Sequence, residues 1–178
     1  MQGDLKPLFP LDEFYAEEGR PLPPVSLVAG SDVPLPYGAL LVGDHDMTPT
    51  LEAFHGETIE IRVIERKLSA DSLARIVVLL LEDSGKPVEF GAIIIHLDLF
   101  PPEARDRILE GHMPLGTILA TYHVNHLSCP RGFIRVQSDS VMEEALSLSG
   151  RCMLYGRRNV LLTPQNEILA EIVEILPP

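Results

Sequence analysis

Residues 72–96 read SLARIVVLLLEDSGKPVEFGAIIIH, and the fold turns on how this stretch is understood. Apolar runs stand on both sides of Asp83-Ser84-Gly85-Lys86, a polar turn, so the stretch predicts a β-hairpin. Val77–Leu81 and Ile93–Ile95 show no polar alternation, and both faces of the hairpin are therefore expected to be covered. Arg75 stands at the foot of the first strand. A guanidinium at the edge of a covered sheet needs a partner, because an unpaired buried charge is very unfavourable. That partner is either protein or ligand.

Upstream of the hairpin, TIEIRVIER (58–66) alternates, with Ile59, Ile61 and Val63 on one face and Glu60 and Arg62 on the other. This predicts a strand with one wet face. In GDHDMTPTLEAFHGE (43–57), Thr48 before Pro49 predicts the start of a short helix that Gly56 ends. Residues 1–36 are rich in proline, including Pro21, Pro23, Pro24 and Pro36. They predict an extended arm with a short helical turn around Leu11–Glu18.

Downstream, FPPEARDRILEG (100–111) reads as a surface helix and Pro114 opens a second short helix or turn. Residues 124–130 read as a loop and GFIRVQ (132–137) as a strand. Asp139 caps a helix over SVMEEALSLSG (140–150), and CMLYGRRNVLLT (152–163) with EILAEIVEIL (167–176) forms a second long hairpin. The order predicts an α+β fold, a six-stranded, mostly antiparallel sheet flanked by helices. It makes residues 37–178 a single domain behind an N-terminal arm, 1–36.

Composition bounds the function. A chain of 178 residues suits one domain. A net charge of −12 argues against a nucleic-acid partner, and any anionic ligand must be attracted by arginines focused inside a pocket. No apolar run approaches the ~18 residues of a membrane span, and the first residues lack the pattern of a signal peptide. A cytoplasmic protein without a membrane partner is expected, with Cys129 and Cys152 as reduced thiols. The GxGxxG, Walker A, GxSxG and HExxH patterns are absent. His123, His126 and Cys129, with Asp44, His45 and Asp46 as helpers, are zinc-type ligands. Their spacing does not gather them on one face of a strand, so no metal is expected.

Strand alternation sorts the remaining polar residues. Glu171 shares a face with Leu169, Val173 and Ile175, and Glu174 shares the other with Ala170 and Ile172. One of these acids points inward, and an inward carboxylate among apolar residues is typical of an active site. Pattern alone leaves open which one. Arg157 and Arg158 also point to opposite faces, so one of them must find an anion inside.

Several segments together resemble the chorismate pyruvate-lyase (4-hydroxybenzoate synthase) family: DMTPTLEAFHG with TIEIRVIER, ARIVVLLLEDSGKPVEFGAIII, MPLGTIL, LYGRRNVLL and ILAEIVEILPP. Their order and spacing fit from about Leu40 to the last residue. The effector-binding domain of GntR-type transcription regulators shares that family's fold. The resemblance implies a sheet with helical flaps over an enclosed ligand. It also implies cofactor-independent removal of pyruvate from chorismate to give 4-hydroxybenzoate.

By the same resemblance Arg75 binds the ring carboxylate, and the backbones of Met47 and Leu115 approach the carboxylate and the ring hydroxyl. Glu171 hydrogen-bonds that hydroxyl. The family's arginine in the return strand is replaced here by Ala92, and Arg158 is the expected substitute for the lost cation. The expected partners are chorismate and 4-hydroxybenzoate, with a monomeric chain and no cofactor. The alternative is a non-catalytic, sensor-type domain for small aromatic acids on the same fold. No winged-helix region is legible beside it, which favours the enzymatic expectation.

Overall fold

The computed structural model describes residues 6–178; positions 1–5 of the expected arm lie outside the described residues. One antiparallel sheet dominates. Its strands are β1 (Val25–Val28), β2 (Ile59–Leu68), β3 (Ser72–Leu81), β4 (Pro87–His96), β5 (Leu127–Gln137), β6 (Met153–Leu162) and β7 (Ile168–Leu176), in the order β1-β5-β6-β7-β4-β3-β2. The helices are α1 (Leu11–Glu17), α2 (Tyr37–Leu41), α3 (Met47–His55), α4 (Pro102–Glu110), α5 (Leu115–Thr121) and α6 (Ser140–Ala145).

The α+β class is the expected one, but the sheet has seven strands rather than six. The additional strand, β1, lies in the proline-rich stretch and pairs with β5 from Val25–Val136 to Val28–Phe133. None of its residues is buried. Main-chain hydrogen bonds to β5 hold it, with Val25 and Val28 only partly buried against the apolar clusters, so it leaves no periodic trace in the sequence. Strand β5 likewise starts within the expected loop. Pro130 sits where its register with β6 shifts, and a bulge is a place where a strand tolerates proline.

The hairpin of β3 and β4 is covered on both faces. Ile76, Val78 and Leu80 pack with Leu11, Phe14 and Tyr15 of α1 and Met142 of α6. On the other face the cover is split. Leu73, Ile93 and Ile95 pack under Ala104 and Ile108 of α4 and Ile118 and Leu119 of α5. Leu79 and Leu81 pack under Leu40 and Leu41 of α2 and Leu51 of α3. Each fully buried side chain of this kind contributes about 1.5–3 kcal/mol. Among the described residues no helix is long and apolar enough to cross a membrane.

Candidate functional site

The split in the cover leaves a cavity. Its empty volume, open solvent included, is about 560 Å³. Val77 and Leu79 of β3, Gly91 and Ile93 of β4, Ile172 of β7 and Leu161 of β6 form an apolar floor. The starts of α3 (Met47, Thr48) and α5 (Leu115, Gly116) form the roof. A Cβ at position 116 would lie 2.8 Å from the Thr48 Cβ and Oγ1. Glycine is what allows the two helix starts to meet over the sheet.

Arg75 enters this cavity from β3. It is 2% exposed, and its Nε and Nη1 have no hydrogen-bond partner among the described residues. Its cross-strand neighbour on β2 is Arg66, another cation. Burial first, and then the Arg66 charge, bring the Arg75 guanidinium down to about 10. It remains a cation at neutral pH. A guanidinium desolvated in this way without a counter-ion is a standing penalty that a bound carboxylate would relieve.

Beyond the apolar floor lies a second polar group, Glu89 of β4 with Glu174 of β7, while Asn159 of β6 lines the cavity level with Ile172 and Ile93. Glu174 forms a buried salt bridge with Arg157. Arg157 also donates to the backbone carbonyls of Leu41 (3.3 Å), Gly43 (3.3 Å) and His45 (2.8 Å), and so ties the segment between α2 and α3 to the sheet. Glu89 is buried with Oε2 unpartnered, and Asn159 donates to Ser128 Oγ at 2.9 Å while its Oδ1 has no partner. Burial pushes the Glu89 carboxyl well above the usual range, and the neighbouring Glu174 charge adds to the rise.

Arg75, Met47 and Leu115 line one cavity. Glu171 and Arg158 do not belong to it. They lie on the opposite face, with Arg158 over the Phe9 ring at 5.1 Å, donating to the Ile172 carbonyl at 2.8 Å and 3.9 Å from Glu171. The Glu171 side chain is a quarter exposed. The acid that β7 turns into the cavity is Glu174. Strand parity separates the two, and register with β4 and β6 decides which face carries the cavity. Ala92 packs in the cluster under α1 and α6 while touching the cavity edge.

Of the zinc-type residues, His126 Nε2 bonds Asp46 Oδ2 at 2.7 Å, and His45 Nε2 lies 3.2 Å from the Leu40 carbonyl. Among the described residues no cluster suits a metal ion. Reading by residue type missed Glu89. Its signal was present, because it is the one charged side chain between Lys86 and His96 in a strand expected to be buried on both faces.

No protein-family model matches the chain, and no curated protein sequence does. Solved structures are similar in fold. The effector domain of PhnF from Mycobacterium smegmatis matches with a TM-score of 0.57 at 12% identity, covering 76% of this chain and 90% of that one. PhnF as a longer chain from the same organism matches with a TM-score of 0.55 at 11% identity, covering 76% of this chain. The present chain spans 64% of that longer protein. The ligand-binding domain of a putative GntR-family transcriptional regulator from Bordetella bronchiseptica matches with a TM-score of 0.51 at 10% identity, covering 67% and 85%. At these identities the likeness is one of fold, the fold of the effector-binding domains of GntR-family regulators.

Proposed function

We propose that this chain is a sensor-type domain that binds a small aromatic monocarboxylate in the cavity under α3 and α5, with Arg75 as the anion clamp. The observation that carries this reading is the buried Arg75 guanidinium with two unpartnered nitrogens above an apolar floor. The other two arginines of interest are committed elsewhere, Arg157 to Glu174 and backbone carbonyls, and Arg158 to the far face. That balance suits one ligand carboxylate rather than two. Residues 37–178 form the binding domain in this reading, and 1–36 its N-terminal arm. The likeness in fold to ligand-binding domains of regulators supports it as well.

The test is calorimetric titration with benzoate and 4-hydroxybenzoate. Arg75→Met is expected to weaken binding by about 2–5 kcal/mol, the range for truncating a buried charge partner. The ligand-free variant should be as stable as the parent or more so, by up to about 4 kcal/mol, because a lone buried charge is gone. Unchanged affinity in Arg75→Met would end this assignment.

A catalytic reading, conversion of chorismate to 4-hydroxybenzoate and pyruvate, is favoured by the meeting of Arg75, Met47 and Leu115 around the cavity. Arg75 would hold the ring carboxylate. Glu174, in the place expected of Glu171, would accept a hydrogen bond from the ring hydroxyl while the C4 proton passes to the methylene carbon of the enolpyruvyl group, the C3–O bond breaks, pyruvate leaves and the ring aromatises. Pyruvate and 4-hydroxybenzoate appearing from chorismate in the presence of the protein would support this reading. Tight binding of 4-hydroxybenzoate with no turnover supports the sensor.

A further inference from the structure

Arg75 occupies one polar end of the cavity, and Glu89 stands at the other. Ile93 is the cross-strand partner of Arg75. Glu89 precedes Ile93 by four residues on the same strand face, which is about 13 Å at ~3.3 Å per residue. The apolar floor lies between them. A ligand of one ring, with its carboxylate on Arg75, therefore points its opposite side at Glu89.

That end has a defined chemistry. Glu89 is 5% exposed and its Oε2 has no partner among the described residues. Titratable or charged groups reach this end from every surrounding element. They are Glu174 on β7, Arg157 on β6, and Asp46 before α3 with its partner His126 from the segment between α5 and β5, while Arg75 on β3 faces them from the opposite end. Arg157 is bonded to Glu174 and backbone carbonyls rather than to Glu89, and its charge offsets the rise at Glu89 only as the smallest of the three influences. Burial and the Glu174 charge both favour the neutral acid at Glu89. An un-ionised carboxyl donates one hydrogen bond and keeps a carbonyl oxygen as acceptor. Gly91 keeps the space open, because a Cβ there would lie 3.2 Å from Glu89 Oε1.

We infer that Glu89 determines the specificity of this cavity: it takes a neutral hydrogen-bonding group at the far end of the ligand, a hydroxyl above all, and rejects a second carboxylate. The inference rests on the reading that Arg75 holds a carboxylate. The ligand class is then a monoanionic hydroxy acid built on one ring. A dianion such as chorismate is disfavoured, because its second carboxylate meets Glu174 and Glu89 with no free cation beside them among the described residues.

The experiment is a calorimetric comparison of benzoate, 4-hydroxybenzoate and terephthalate on the whole chain, with Glu89→Gln, Glu89→Leu and Arg75→Met. The parent should bind 4-hydroxybenzoate about tenfold tighter than benzoate, the worth of a good hydrogen bond. Terephthalate should bind at least roughly a hundredfold weaker than 4-hydroxybenzoate. Glu89→Leu should bring the ratio of hydroxybenzoate to benzoate affinity to near one, whereas Glu89→Gln, which keeps a donor and an acceptor, should preserve it. Affinity for both monoanions should fall as pH rises and Glu89 ionises in the parent, and not in Glu89→Gln. An unchanged ratio in Glu89→Leu, a pH trend identical in Glu89→Gln, or terephthalate binding as well as benzoate would each overturn the inference. Should Glu89→Leu fail to fold, the isosteric Glu89→Gln and its pH profile still decide. Failure of all three probes to bind, or full binding to Arg75→Met, strikes the Arg75 reading itself and is distinct from these outcomes.

Discussion

At the scale of single residues, the buried charges separate into those the fold satisfies and those it leaves open. Arg157 is fully buried and fully used, and Glu174 is the carboxylate that neutralises it. Glu174→Gln would leave Arg157 without its counter-ion in the core, a loss of about 3–5 kcal/mol. Glu171→Gln removes a weak, partly exposed contact 3.9 Å from Arg158 and should lose less than about 1 kcal/mol. Urea denaturation of the two variants side by side checks this, and equal losses would refute the assignment of Glu174 to the interior. Arg75 was legible in the sequence because it opens an uninterrupted apolar run. Glu171 and Glu174 were not separable, since both sit among aliphatic residues and alternation says only that they face apart.

At the scale of elements, the roof is held by contacts between parts distant in the chain. Asp46 precedes α3, yet its side chain does not cap that helix. It bonds His126, in the segment between α5 and β5, which also bonds the Val124 carbonyl at 2.8 Å. The hydrogen bond that the imidazole donates to Asp46 raises His126 above its ordinary 6.5, against the opposing effect of burial. A histidine raised on folding adds stability that is fully present below its unfolded value and is lost as pH rises through its folded value. Asp46→Asn should therefore destabilise the chain more at about pH 5.5 than at about pH 8. Denaturation midpoints at the two values test it, and a penalty as large at alkaline pH would exclude the ion pair as its source. The His126 spacing was visible in the sequence, but its partner is eighty residues away (126 − 46) and could not be read from it.

At the scale of the whole molecule, a net charge of −12 surrounds a cavity whose unpartnered guanidinium is Arg75. Long-range repulsion of an anionic ligand is screened over about 10 Å at 0.1 M salt, whereas a desolvated clamp is screened much less. The association rate of benzoate should therefore rise between roughly 20 and 200 mM salt, with a smaller change in dissociation rate. Stopped-flow measurements would show it, and a falling association rate would mean that focusing by the arginines outweighs the global charge. The same scale explains the cavity. The face of the sheet under α2 to α5 is covered by two apolar clusters rather than one, and the gap between them is where the polar groups gather.

What the sequence determined by itself is whatever is local or periodic. The two long hairpins, the α3 segment ending at Gly56 and the antiparallel α+β class follow from runs, alternation and turn residues. The exposed strand β1 escaped because backbone pairing leaves no pattern in side-chain types. The site was half legible. Arg75, Met47 and Leu115 could be named in advance, but Glu89 and Glu174 were selected by the register of β4, β7 and β6, which brings Gly91 opposite Glu174 and Glu174 opposite Arg157. A shift of one residue would turn each of these side chains to the other face. Only the packed sheet holds that register, and so only the tertiary structure decided which acids share the cavity with Arg75.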